Sequence, residues 1–230
     1  MIKPILKVSG LIAFLSFGSV AHAVTVALED FEGGANGWTN EASTGVNEFA
    51  SGGHDGGAYI STVNDIATND ANFGSALIQF RCPDDCSNNI FQGDWIGQGV
   101  IALEFWFRHN SAIDLRPYIR IPALPGNRPA ASALPLPVVA PNVWTKIVLE
   151  IDENNPEFIS FGGGGFDGIF SDPGVSRLQP GIFFDPEIVY NESSVKFDID
   201  DVSLTAVPVP AAVWLFGSAL AGLGWMKRRQ

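Results

Sequence analysis

Positive charge is scarce in this chain, and that scarcity removes one class of function at once. The 230 residues hold 13 Lys and Arg against 25 Asp and Glu, a formal net charge of −12. Lys3 and Lys7 sit at one end, and Lys227, Arg228 and Arg229 at the other. Only eight bases share residues 24–206 with all 25 acids, so the middle of the chain carries −17. Nucleic-acid phosphates need clustered positive charge, so no nucleic acid is expected as a partner. Such an acidic surface suits solubility, divalent cations or basic partners. Histidine is equally sparse, with three in all. Neither His54 nor His109 lies in an HExxH helix, and no G-x-S-x-G nucleophile elbow occurs. Residues 162–165 are all glycine but lack the following Lys and helix of a phosphate-cradling loop. Paired carboxylates can hydrolyse a glycosidic bond, yet among 25 acids some pair always falls at a suitable separation. His54-Asp55 sits in a Gly-rich turn and reads as a loop tip rather than a general base. A catalytic site is therefore not expected.

Long helices are the second absence. The 25 Gly and 15 Pro oppose them, while 46% apolar residues and 17 Phe supply a core and argue against disorder. Period-two alternation predicts strands at 25–31, 46–49, 58–63, 76–81, 100–108, 115–121, 144–151, 158–161, 181–184 and 195–205. Ile101, Leu103, Phe105 and Phe107 alternate with Glu104, Trp106 and Arg108, so the two sets take opposite faces. Pro117 demotes its strand to an edge or bulged position, and the six prolines between 122 and 141 mark a surface loop. Ten short strands make an all-β, antiparallel β-sandwich of jelly-roll type.

The two ends read as addresses. Residues 1–23 place two lysines before an apolar run that closes on Ala21-His22-Ala23, the layout of a signal peptide cleaved after Ala23. Residues 211–226 carry no charge; as a helix they would reach ~24 Å, marginal for a ~30 Å bilayer core. Lys227, Arg228 and Arg229 would stay on the cytoplasmic side of the inner membrane. Val207-Pro208-Val209-Pro210, the apolar run AAVWLFGSALAGL and this basic tail together resemble a PEP-CTERM sorting signal, with Val-Pro-x-Pro standing where Pro-Glu-Pro is usual. The resemblance implies an exosortase as processing partner, a membrane-anchored intermediate, and release or transfer to the cell surface of a Gram-negative bacterium. The domains expected are thus a leader at 1–23, a sandwich at 24–206 and the sorting signal at 207–230. A permanent single-span anchor is the alternative.

The body carries a second resemblance. ALEDFEGGANGWTNE, GGHDGGAYIST, FQGDWIGQGVIALEFWFRHN and FDIDDVSL, in that order, resemble a laminin-B-like or carbohydrate-binding-module jelly roll. This implies a galactose-binding-like sandwich with Trp38 and Trp95 as structural anchors. It also implies that the chain ends lie side by side with a structural calcium at their seam. Hard oxygen ligands suit that ion. The first strand offers Glu29, Asp30 and Glu32, and the last offers Asp198, Asp200 and Asp201. The resemblance matches Glu32 and Asp200, with Asp201 beside them, as the metal residues; a solvated acidic edge without an ion is the alternative.

Cys82 and Cys86, in RCPDDCSNN, read as a small disulfide loop in an exported protein. A single CxxxC without a nearby His is a poor zinc site. The strands at 100–108 and 115–121 are expected to form a hairpin. With Leu115, Ile119 and Ile121 turned to the core, Arg116, Tyr118 and Arg120 join Glu104, Trp106 and Arg108 on one outer face. An aromatic ring flanked by Arg and Glu suits a sugar, stacking on its C–H face while the charges bind hydroxyls. A loop lying over that face would instead bury Trp106. The function expected is an exported, non-catalytic surface or matrix protein that binds polysaccharide. A glycan-active enzyme of the same fold and a purely structural matrix protein are the rivals.

Overall fold

The computed structural model describes residues 22–67, 76–83, 85–124, 130–133, 136–185 and 187–207. The leader up to Ala21, the Pro208–Pro210 motif, the 211–226 run and Lys227, Arg228 and Arg229 lie outside them. Among the described residues no helix is long and apolar enough to cross a membrane. All the strands fall in one compact unit, Ala23–Pro208. They are β1 (Val24–Glu29), β2 (Thr39–Asn40), β3 (Asn47–Phe49), β4 (Tyr59–Asn64), β5 (Ala76–Ile78), β6 (Phe80–Arg81) and β7 (Val100–His109), then β8 (Arg116–Pro122), β9 (Ala130–Ala133), β10 (Thr145–Glu150), β11 (Phe158–Phe161), β12 (Gln179–Phe183) and β13 (Val195–Ala206).

Two antiparallel sheets face each other across one core. The six-stranded sheet runs β10-β7-β13-β4-β3, with β1 also paired to β13; the five-stranded sheet runs β11-β9-β8-β12-β5. The chain crosses repeatedly between them, as a jelly roll requires. Alternation sets the core: Leu103, Phe105 and Phe107 of β7, Ile147 and Leu149 of β10, and Phe197 and Ile199 of β13 turn inward and are fully buried. From the other sheet come Leu115, at the entry to β8, then Ile119, Ile121 and Ile182. Trp38 and Trp95 are buried anchors; Trp38 Nε1 donates to Ser87 Oγ and Trp95 Nε1 to the Phe91 carbonyl. The first and last strands of the sandwich do lie side by side, β1 antiparallel to β13. Cys82 and Cys86 form the expected disulfide, with Cα atoms 5.2 Å apart.

Three expectations are corrected. β7 and β8 form no hairpin, because both edges of β7 are taken by β10 and β13, and β8 belongs to the opposite sheet. Pro117 does not demote β8, which is the middle strand of its sheet. Leu115 donates its N–H to Val139, so two residues on the Pro117 nitrogen points to the same side. That side lies past the last β8–β9 pair, Ile119–Ala133, and the ladder loses no bond. The stretch 122–141 is not all loop either. Ala130–Ala133, free of proline, forms β9 between β8 and β11.

Candidate functional site

The outer face of the six-stranded sheet is built by its register. Trp106 lies opposite Lys146 on one side and Asp200 on the other. Arg108 pairs with Asp198, which pairs with Ser61 on β4, and Tyr59 pairs with Phe49 on β3. Trp144, one residue before β10, falls next to Arg108 on this face.

These residues form an aromatic band across the strands. Phe49 and Tyr59 stack with centroids 4.8 Å apart and planes 8° from parallel. Tyr59 meets Trp144 edge-on at 5.6 Å. The Arg108 guanidinium lies 4.3 Å from the Trp144 ring centroid and 5.1 Å from that of Tyr59, both within cation–π range. Lys196 stands 5.2 Å over Phe49. Phe49 remains 40% exposed, and Trp144 is half-buried. The three cations share two carboxylates. Arg108 Nε donates to Asp198 Oδ2 at 2.7 Å, Lys196 Nζ reaches the same oxygen at 3.3 Å, and Lys146 pairs with Glu104 at 2.8 Å.

The Gly-rich turn between β3 and β4 crosses the rest of the face. Its Gly52 carbonyl accepts from Trp144 Nε1 at 3.2 Å and from Arg108 at 3.4 Å. His54 stacks on Trp106, centroids 4.2 Å apart and 15° from parallel. The His54 amide donates to Asp200 Oδ2 at 2.8 Å, and its Nδ1 lies 3.2 Å from that oxygen and 3.3 Å from Asp201 Oδ2. Trp106 is therefore half-buried under this glycine turn.

Asp200 and Asp201 reach one side of the sheet because β13 bulges there. Trp106 pairs with Asp200 and Glu104 with Ser203, so β13 holds one extra residue, and Asp201 takes φ 43°. Burial raises the Asp200 carboxyl above the ordinary carboxylate range, against the opposing hydrogen bonds from His54 and the Asp201 amide. Burial, and then the neighbouring Asp200 charge, raises Asp201 as well. His54 Nδ1 and the two carboxylates form a group whose atoms lie within 4.8 Å of one another, close enough to hold a cation. Glu32, the third expected metal residue, accepts from the Ala58 amide through Oε1 at 2.8 Å. Glu29, on the first strand, turns inward and is buried, accepting from Phe31 N, Asn36 Nδ2 and Ser87 Oγ.

The six expected ligand residues are divided between the sheets. Glu104, Trp106 and Arg108 share the aromatic face. Arg116, Tyr118 and Arg120 lie on the outer side of the five-stranded sheet, where Tyr118 is 2% and Arg120 3% exposed. Tyr118 packs with Ala76, Ile78 and Phe183; Arg120 bonds Gln179 and lies over the Phe161 ring. Sequence reasoning missed Trp144, Tyr59, Phe49 and Lys196. Trp144 heads a predicted strand and shares the parity of the outward-facing Lys146, which was the available signal. Nothing local showed that β10 lies beside β7.

No family model matches the chain, and no curated protein matches it. Solved structures similar to it include modules of a Clostridium thermocellum endo-1,4-beta-D-xylanase complexed with xylohexaose, at 15% identity and TM-score 0.46. That match covers 79% of this chain but 28% of the xylanase chain, so this protein spans little more than a quarter of its length. A family 11 carbohydrate-binding module from the same organism, in complex with a beta-1,3-1,4-mixed-linked tetrasaccharide, is similar at 16% identity and TM-score 0.43, covering 81% of this chain and 96% of that one. The L4b domain of human laminin alpha-2 is similar at 11% identity and TM-score 0.38, covering 71% of this chain and 98% of the laminin domain.

Proposed function

We propose that this is an exported, non-catalytic protein of the cell surface or extracellular matrix that binds polysaccharide on the outer face of its six-stranded sheet. The observation that carries the reading is the band Phe49–Tyr59–Trp144 with Arg108 and Lys196 laid across it. Phe49 and the accessible part of Trp144, backed by the buried Tyr59, offer stacking surface for the apolar side of a sugar, and the flanking charges offer donors and acceptors to its hydroxyls. Each described cation of the band has an acid partner on the same face, and the body carries excess negative charge. Both features favour a neutral glycan over an acidic one. The Val-Pro-x-Pro segment, apolar run and basic tail support handling by an exosortase. The acids at the seam of β1 and β13 support a bound calcium ion, with Asp200 and Asp201 as hard oxygen ligands and Glu32 as the third expected carboxylate.

Trp144→Ala tests the binding face. A glycan array on the purified protein should show neutral polysaccharides retained by the parent, with Kd raised at least tenfold by the substitution, about 1.4 kcal/mol. Stability should fall by about 2 kcal/mol, less than the ~3–5 of a fully buried aromatic, because the ring is half-buried. Hydrolysis of the bound glycans would favour the glycan-active alternative. An array with no retained glycan would leave a structural matrix protein.

A further inference from the structure

We propose that the end of the sandwich away from the aromatic face's glycine turn is a docking groove for a peptide segment of a partner protein that combines apolar and lysine or arginine side chains. A cavity of about 450 Å³ opens there, floored by Ile96, Ile101 and Ile151 and walled by Phe166. Ile96 and Ile101 are 42% and 41% exposed, unusual for large aliphatic side chains beside a core. A second cavity of about 140 Å³ shares Phe166 and Glu153 with the first, so the groove continues past the Phe166 ring toward Phe158 and Ser160 with a mixed polar and apolar lining. The floor is built in advance. The Ile151 amide bonds the Ile101 carbonyl, the Ile96 amide bonds Phe170, and Val207 bonds Gly99. Phe166 is held by Phe158 and Phe170 at 5.9 and 4.7 Å.

The charge around this floor has one sign. Asp152, Glu153 and Asp167 line the larger cavity, and all three are exposed. Residues 147–176 contain six acids and not one Lys or Arg. On the aromatic face every described acid of the band has a cation beside it; here the carboxylates of Glu153 and Asp167 make no ion pair among the described residues. An apolar floor beneath unneutralised carboxylates complements an occupant with apolar side chains and positive charge. A neutral sugar could hydrogen-bond these carboxylates but would leave their charge uncompensated, and an acidic ligand would be repelled. This groove is independent of the glycan reading.

The test uses the full chain and a capped, fluorescein-labelled octapeptide of leucine and lysine, with leucine–serine and leucine–glutamate octapeptides as comparators. Anisotropy should show saturable binding of the leucine–lysine peptide alone, weakening as salt rises. Glu153→Gln with Asp167→Asn should raise its Kd at least tenfold, and Ile101→Ser should do the same with the charges intact. Asp65→Asn with Glu187→Gln removes two charges outside the groove and should change Kd less than twofold. Equal weakening by both charge pairs would show mere attraction to an acidic body and overturn the groove. So would absence of saturation, or leucine–serine binding as tight as leucine–lysine.

Discussion

Asp201 combines three features that a residue seldom carries together. It is the extra residue of a bulge, its φ is positive, and its carboxyl is raised above the ordinary range by burial and by Asp200. A carboxyl raised in this way holds its proton more tightly folded than unfolded. The folded state is favoured most at acid pH, below the unfolded value near 3.9, and loses that advantage as pH rises through the folded value. At neutral pH a penalty remains, which a bound cation would remove. Asn tolerates positive φ and has no proton to lose. In chelator, Asp201→Asn should therefore melt above the parent at neutral pH, and the gain should vanish toward pH 4. Calcium should raise the parent's Tm, by roughly 2.7 kcal/mol of stability at a hundredfold excess over Kd, and leave Asp201→Asn nearly unmoved. A calcium response kept by the variant would place the ion elsewhere. The sequence made Asp200 and Asp201 legible as a pair of acids at a seam. His54 was not legible as their neighbour, because the turn that carries it is 146 residues away in sequence.

At the scale of the element, the glycine turn between β3 and β4 decides which tryptophan a ligand can meet. Alternation correctly placed Trp106 on the outer face. It could not show that a turn from two strands away would set His54 on that ring. Gly53 is where the turn comes closest, since a Cβ there would overlap the Asp200 carboxylate and the Ala58 and Gly57 carbonyls. Gly53→Ala should cost about 1–3 kcal/mol in chemical denaturation, with an unchanged m-value if only the folded state is strained. Trp106→Ala should cost about 2 kcal/mol, less than the ~3–5 of a fully buried aromatic, and should spare glycan binding if Trp144 carries it. Loss of binding with unchanged stability would return the site to Trp106. The misplaced hairpin has a similar origin. Two alternating strands joined by six residues look like partners in sequence, but strand pairing depends on which edges are free. The long, regular β7 recruits β10 and β13, and β8 is left to the other sheet.

Across the whole molecule, the strand pattern was readable where only one face is buried, as along β7 and β10, which forces period-two alternation; β5, β8 and β12 are buried on both faces. The division of cations was not readable, because it arises from sheet order. Arg108, Lys146 and Lys196, spread over 89 positions, gather on one face, while the 147–176 stretch faces solvent with acids alone. This polarity bears on the route of the chain to its destination. A body of −17 joined to an N-terminal leader with two lysines and a C-terminal tail of three bases concentrates positive charge at the segments expected to meet the inner membrane. Charges of that sign are retained on the cytoplasmic side, so on the export route proposed above both ends should be held there while the sandwich crosses. Mature surface material should then lack residues 1–23 and the Lys227–Arg229 tail, and intact-mass measurement should report both losses. Replacing Val207, Pro208, Val209 and Pro210 with alanines should leave the leader removed but the tail attached, and the protein in the membrane fraction. Surface-released parent protein that still carries Lys227 would exclude exosortase cleavage near the proline motif, and a membrane-bound parent of the same mass would identify a permanent anchor.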